Sequence, residues 1–340
     1  PEAAALHVLP GGTGDSSDTD FFAMPFPSDV RLKQGAFDLA RVPRTIGQPG
    51  KYVELIDGAI QGAGMSAGIY FRFAAPLDVA SLPSDVDARG SVRESASVYV
   101  VDVTVGSPTY GQRHPVLVSF HAEAGQYIGP NWMCVRPVPG LPLREGTTYA
   151  AVATRRLRGV GGESVSAGPD LTRLLDDAQP SDEPYRSAWT RYAALRAYLK
   201  GAGTSSDVVQ ATVFTTQKAT GVMGALRDAV YAQTATPRPL DLGYLRDHDG
   251  LVDVYAGRFE SPNFQLGDPP YFDGGGGLKL DDSGKPKVSR MESLRFALTV
   301  PRGEMPADGW PVILYAHGTG GDYLTFVREN LDTRAGFVEL

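Results

Sequence analysis

Apolar and polar positions alternate in short runs between residues 68 and 155. Ile69-Tyr70-Phe71-Arg72-Phe73 and Ser97-Val98-Tyr99-Val100-Val101 come first, then Pro115-Val116-Leu117-Val118-Ser119-Phe120 and Met133-Cys134-Val135-Arg136-Pro137. Thr147-Thr148-Tyr149-Ala150-Ala151-Val152-Ala153-Thr154 closes the series. A period of two with β-branched and aromatic residues, broken by turn residues, predicts strands at a spacing that suits a β-sandwich. The period then changes. Trp189, Tyr192, Ala193, Leu195 and Leu199 recur three and four apart, which predicts one amphipathic helix within 170–200, ending at Gly201 or Gly203. Val208 to Thr216 reads as a strand again, and Gly221 to Gln233 as a helix with Val222, Leu226 and Val230 on one stripe.

Thr236-Pro237-Arg238-Pro239 disfavours helix on both sides and is the best boundary signal. Beyond it, strands are expected over Leu251 to Phe259 and Ser293 to Pro301, with a loop at Asp273 and Gly274 to Gly277 between them. Pro311-Val312-Ile313-Leu314-Tyr315-Ala316 is a near-continuous apolar run, which predicts a strand covered on both faces. Phe326 to Arg334 is expected to be helical. At the other end, residues 1–20 are rich in Gly, Ser and Asp and read as a flexible leader. Phe21-Phe22-Ala23-Met24-Pro25-Phe26-Pro27-Ser28-Asp29 reads as a segment lying extended over a domain surface, because proline fixes φ and removes a donor.

Composition narrows the classes. The chain has 340 residues, enough for about two domains, and its 40 glycines and 26 prolines favour a turn-rich, β-containing protein. A net charge of −7 without any basic run makes nucleic acid an unsuitable partner. No apolar stretch reaches the length of a membrane span, which needs about 18 residues. The single cysteine, Cys134, excludes intramolecular disulfides and thiolate metal clusters; it sits in a strand-like run as a small hydrophobe, with a nucleophile as the sharper reading. No signal peptide is present at Pro1, so residues 1–20 are expected to be a mature N-terminus left by a removed export signal.

The segment that carries chemistry is His317-Gly318-Thr319-Gly320-Gly321, directly after the apolar run and before the last expected helix. Ester hydrolysis passes through a tetrahedral oxyanion, and a backbone N–H aimed at that oxygen can supply about 3 kcal/mol. Glycines let the backbone approach a substrate without an intervening Cβ. In the α/β-hydrolase fold a motif of this kind follows the third strand. Thr319 and Gly318 are therefore the expected oxyanion donors, and His317, Gly320 and Gly321 shape the loop. The competing reading is a glycine turn after a strand, with His317 bonding the loop.

Other motifs carry less. Gly64-Met65-Ser66-Ala67-Gly68 has the letters of a nucleophile elbow, but an elbow needs a strand before it and a helix after it. Here a strand follows, and the serine precedes the oxyanion loop in the chain. His7, His114, His121 and His248 show no metal-site spacing. Asp281-Asp282-Ser283-Gly284 and Asp15, Asp18 and Asp20 do not match an EF-hand loop and fit turn chemistry. Gly274 to Gly277 lacks the Lys-Ser/Thr of a phosphate loop. No cofactor and no metal are expected.

Trp310 to Gly321 resembles the strand-three and oxyanion segment of bacterial extracellular lipases and esterases. Pro25-Phe26-Pro27-Ser28-Asp29-Val30-Arg31-Leu32 resembles the start of the bacterial virulence-factor lipase N-terminal domain. Val135-Arg136-Pro137, Pro142 to Tyr149 and Ala211 to Gln217 are similar to that family as well. The likeness spans about residues 20–325. It implies a fold between α+β and α/β: an immunoglobulin-like module with added helices at 21–235, then the first strands of an α/β-hydrolase sheet at 236–340. It further implies a secreted, periplasmic or cell-surface enzyme cleaving small-molecule or lipid esters, with peripheral membrane association. The catalytic serine, acid and histidine would lie outside this chain, on a C-terminal hydrolase segment or a second chain, leaving this chain inactive alone. The alternative is a non-catalytic extracellular binding or assembly module with a hydrolase-like remnant.

Overall fold

The computed structural model describes residues 3–15, 20–44, 47–233, 236–271 and 274–331. Asp18, Asp273 and residues 332–334 of the last expected helix lie outside them. The strands are β1 (Ala5–Leu6), β2 (Leu32–Lys33), β3 (Ala36–Phe37), β4 (Ile69–Phe73), β5 (Val98–Asp102), β6 (Arg113–His114), β7 (Val116–His121), β8 (Trp132–Pro137), β9 (Thr148–Thr154), β10 (Val208–Thr215), β11 (Gly243–His248), β12 (Val252–Asn263) and β13 (Arg290–Pro301). The α-helices are α1 (Gln48–Ile56), α2 (Pro169–Leu175), α3 (Tyr185–Arg191), α4 (Ala193–Ala202), α5 (Gly221–Tyr231) and α6 (Thr325–Arg328). The paired strands run antiparallel, which makes this a β-rich α+β protein. The chain divides into two compact units, Pro1–Ala219 and Thr220–Leu340.

In the first unit, one sheet has the order β1-β4-β8-β7 and the other β10-β9-β5-β6. Their facing side chains form one core: Ile69, Phe71, Phe73, Val118, Met133 and Val135 meet Val98, Val100, Ala151, Ala153 and Phe214. The alternate residues of the second sheet point the other way. Tyr99, Val101, Ala150, Val152, Ala211 and Val213 meet Leu171, Leu174, Tyr185, Ala188, Leu195 and Leu199 from α2, α3 and α4, and Tyr192 from the junction of α3 and α4. The unit is thus three layers, sheet on sheet on helices, and the middle sheet is buried on both faces.

Three expectations change here. The span 170–200 holds three helices and not one: α2 begins it, and the stripe from Trp189 to Leu199 is divided between α3 and α4, because Tyr192 leaves helical geometry between them and sends its hydroxyl to the Ala211 carbonyl, 3.1 Å away. Gly203, in the left-handed region at φ 66°, ends α4. Residues 21–31 do not lie over a surface. Phe21, Met24, Ser28, Asp29 and Arg31 are buried. Phe26 exchanges backbone bonds with Tyr70 of β4, and the Asp29 carboxylate accepts from the Thr215 amide (2.9 Å) and hydroxyl (2.7 Å) of β10. The leader, over its described residues, is no tether either: Ala3, Ala5 and Leu9 are in the core, and β1 pairs with β4.

The second unit begins at Thr220, earlier than the Pro-rich signal at 236–239. None of the residues of α5 is buried, so its apolar stripe has no packed cover among the described residues. Strands β11, β12 and β13 form one meander. Its twelve registered pairs between β12 and β13 set Val252, Val254, Ala297 and Thr299 on one face and Tyr255, Phe259, Phe296 and Leu298 on the other. The first face gains a small core with Val327, Leu324 and Phe326. The segment 311–316 is the main correction. It forms no strand, and Val312 and Leu314 are 89% and 95% exposed. Among the described residues no strand lies hydrogen-bonded beside it to occupy its backbone groups and cover its faces.

Candidate functional site

The loop His317-Gly318-Thr319-Gly320-Gly321 turns sharply. The Gly321 amide donates to the Gly318 carbonyl at 3.0 Å, and Gly320 sits at φ 81°, where a side chain would strain the backbone. His317 Nδ1 lies 3.0 Å from the Gly318 carbonyl oxygen, so the imidazole braces the turn. A Cβ on Gly321 would come within 2.9 Å of both His317 Cβ and Thr325 Oγ1. Only glycine fits there without a shift of the loop.

Among the described residues, the N–H groups of Gly318, Thr319 and Gly320 donate no hydrogen bond. They border a cavity of about 320 Å³ lined by Tyr315, Gly318 to Gly321, Thr325, Arg328 and Glu329. A second, larger trough of about 740 Å³ runs between the β13 residues Phe296, Leu298 and Val300 and the segment Trp310 to Tyr315, and reaches His317 and Gly321. The loop thus offers backbone donors in a small cavity that shares Tyr315 and Gly321 with an apolar trough, an arrangement that can hold a developing negative charge near an apolar substituent.

The far wall was not foreseen. Asp322 Oδ1 accepts from the Leu324 amide (2.8 Å) and Arg328 (2.8 Å), and the Asp322 amide donates to Thr325 Oγ1 (2.8 Å). The Arg328 guanidinium holds the Asp322 carboxyl below its usual range. The spacing Asp322, Thr325, Arg328 is that of a capped helical turn and was available as a signal.

No group with the partners of a nucleophile or base sits beside the loop among the described residues. Ser66 lies exposed in a turn, with the Ala67 amide donating to the Gly64 carbonyl, immediately before β4 and in the first unit. His114 Nε2 bonds the Leu141 carbonyl at 2.9 Å, and His121 stacks on Trp132 at 4.1 Å. His248 Nε2 meets Asn330 Oδ1 at 3.0 Å. Burial raises the Cys134 thiol above its ordinary range, which makes it a poor nucleophile. Asp281 Oδ1 accepts from the Ser283 amide and hydroxyl and the Lys285 amide, a turn-capping role. Asp15 pairs with Arg41, and Asp20 caps the turn at Phe21–Ala23 and meets Arg72. Gly274, Gly275 and Gly276 all have positive φ, and the Gly276 amide bonds the Leu266 carbonyl, so this glycine run folds back as a loop. His7, expected in a leader, is instead buried in the first unit.

Among the described residues no cluster of His, Cys, Asp and Glu side chains could hold a metal, and no helix is long and apolar enough to cross a membrane. No protein-family model and no curated protein matches the chain. Among solved structures, the crystal structure of the S-layer protein rSbsC(31-844) aligns over 71% of this chain at 10% sequence identity, with a TM-score of 0.21. The aligned part is 32% of that chain, so the present chain spans about a third of its length.

Proposed function

We propose that this chain is the N-terminal portion of an exported serine hydrolase of the lipase and carboxylesterase kind. In this reading the first unit is its immunoglobulin-like module, and the second supplies the opening strands and the oxyanion loop of an α/β-hydrolase domain. The N–H groups of Thr319 and Gly318 face the tetrahedral oxyanion, and His317, Gly320 and Gly321 fix the loop. The serine, acid and histidine are carried by polypeptide outside these 340 residues. The observation that carries the reading is the set of unspent donors at Gly318, Thr319 and Gly320, residues that line the smaller cavity, which shares Tyr315 and Gly321 with the trough. The exposed run 311–316 adds to it: an apolar segment with free backbone groups wants a strand beside it, and the trough separates it from β13.

The test is turnover of p-nitrophenyl esters by residues 1–340 alone and by the product of the whole reading frame. We expect no enzymatic turnover from residues 1–340. The whole product should turn over, and Thr319→Pro, which removes one N–H, should lower its kcat about 100- to 1000-fold with KM little changed. A whole product without turnover would sink the enzyme reading in favour of a non-catalytic extracellular binding or assembly module. Turnover by residues 1–340 that Ser66→Ala abolishes would overturn the assignment of the site.

A further inference from the structure

The first thirteen described residues, 3–15, are a strap fastened by groups far along the chain. The Ala5 amide donates to the Ser166 carbonyl (2.9 Å), and the Ser166 amide to that of Ala3 (3.0 Å). The Leu9 amide donates to Asp170 Oδ2 (2.8 Å), the Thr13 amide to the Tyr185 hydroxyl (3.0 Å), and Gln210 Nε2 to the Leu6 carbonyl (2.7 Å). His7 sits in the middle of these fastenings and is 3% exposed.

The chemistry around His7 fixes its tautomer. Its Nδ1 lies 2.6 Å from Gln210 Oε1. That oxygen also accepts from the Ala211 amide at 3.0 Å, while Gln210 Nε2 donates to Leu6, so the amide orientation is set. Nδ1 therefore carries the proton and donates. The other nitrogen, Nε2, is buried and has no hydrogen-bond partner among the described residues. A second proton can go only to Nε2, where it would place a charged N–H in the core with nothing to accept it.

The groups facing the imidazole do not remedy this. From α2 comes the Asp170 carboxylate, already accepting from Leu9 and from Tyr185 Oη (3.0 Å). Between α3 and α4 the Tyr192 ring stands edge-on at 6.1 Å, and β10 contributes the neutral Gln210. Asp170 favours the charged imidazole, but desolvation outweighs it together with the Gln210 bond, and burial pushes His7 down to about 4.

We propose that His7 is an acid-sensitive latch: its protonation releases the strap 3–15 from the first unit while the two sheets stay folded. The closed strap binds the proton more weakly than the open one. Closure is therefore fully supported above about pH 6.5, and its support is lost as pH falls from there towards 4. Release would bare the edge of β4 that β1 now covers.

Hydrogen exchange on the 340-residue chain, read by mass spectrometry and corrected for intrinsic rates, tests this between pH 7.5 and 5, above the ordinary carboxylate range. The opening constant of residues 3–15 should rise about 30-fold across that window, with peptides from β5 and β9 unchanged. His7→Gln, which cannot take up a proton, should show a rise of less than about 3-fold. An equal rise in His7→Gln, no rise in the parent, or core peptides opening in step would each overturn the latch. Should the variant fail to fold, NMR titration of the parent decides. An imidazole still neutral at pH 5 while the strap is closed supports the proposal, and one that titrates at its ordinary value overturns it.

Discussion

The middle sheet of the first unit and the meander of the second are built from similar residues and finished differently. In β5, β9 and β10 almost every side chain is buried, because a second sheet covers one face and three helices the other. In β12 and β13 one face meets a few residues around α6, and Phe296, Leu298, Tyr255 and Phe259 line the other without a comparable layer among the described residues. The lesson is that a strand's apolar pattern does not by itself say whether both of its faces are covered. The run 311–316 is the extreme case, with the composition of a doubly covered strand and the exposure of a loop.

The sharpest way to break that comparison is truncation on each side. Phe71→Ala, at 0% exposure between the two sheets, should destabilise the first unit by about 3–5 kcal/mol in urea unfolding. Leu298→Ala, at 42% exposure on β13, should cost less than about 1 kcal/mol. Equal effects would mean that the Leu298 face of the meander is packed as tightly as the sandwich. Limited proteolysis comes next: chymotrypsin should cut after Tyr231, Tyr244 or Leu314 at least about 10-fold faster than at any site within β4 to β10. First cuts inside the sandwich would reverse the ranking. A smaller effect is expected at Cys134. Its raised thiol holds less thiolate at a given pH, so reaction with a thiol reagent at pH 8 should run several-fold slower than for an unfolded control. The smallest effect belongs to Arg258→Ala, which removes an exposed pair with Asp241 and should leave the midpoint within error of the parent.

Much of the sandwich was legible because its strands are long enough to show a period. The runs at 69–73, 98–102, 116–121, 132–137, 148–154 and 208–215 are all strands. Two-residue strands such as β1, β2, β3 and β6 have no period to read. Helices α1 and α2 lacked a stripe strong enough to mark them, and β11 was not read as a strand. The strap was misread for a different reason. Its apolar residues, Ala3 to Leu6, Val8 and Leu9, were masked by the Gly, Ser and Asp that follow, and the groups that fasten it, Ser166, Asp170, Tyr185 and Gln210, are more than 150 residues away. At the site, glycines after an apolar run marked the loop, while the close approach of Gly321 to His317 and Thr325 depends on the fold of the turn itself. The cover of 311–316 was assumed from composition, and cover is a non-local property.

The position of β10 has a consequence for how the first unit comes together. It is the unit's last strand, yet its side chains hold the earliest segments: Gln210 bonds Leu6, the Thr212 hydroxyl donates to the Pro27 carbonyl, and Thr215 donates to Asp29. Those partners are 204, 185 and 186 residues apart in the chain. A ribosome making this protein must extend past residue 210 before the first of these closures can form, and past residue 215 before the last. Until then the nascent N-terminal segments wait unfastened beside an unfinished sheet. Contacts of such long range slow folding and lengthen exposure of apolar edges. The unit should therefore fold late and nearly all at once, with β10 as the strand that locks it.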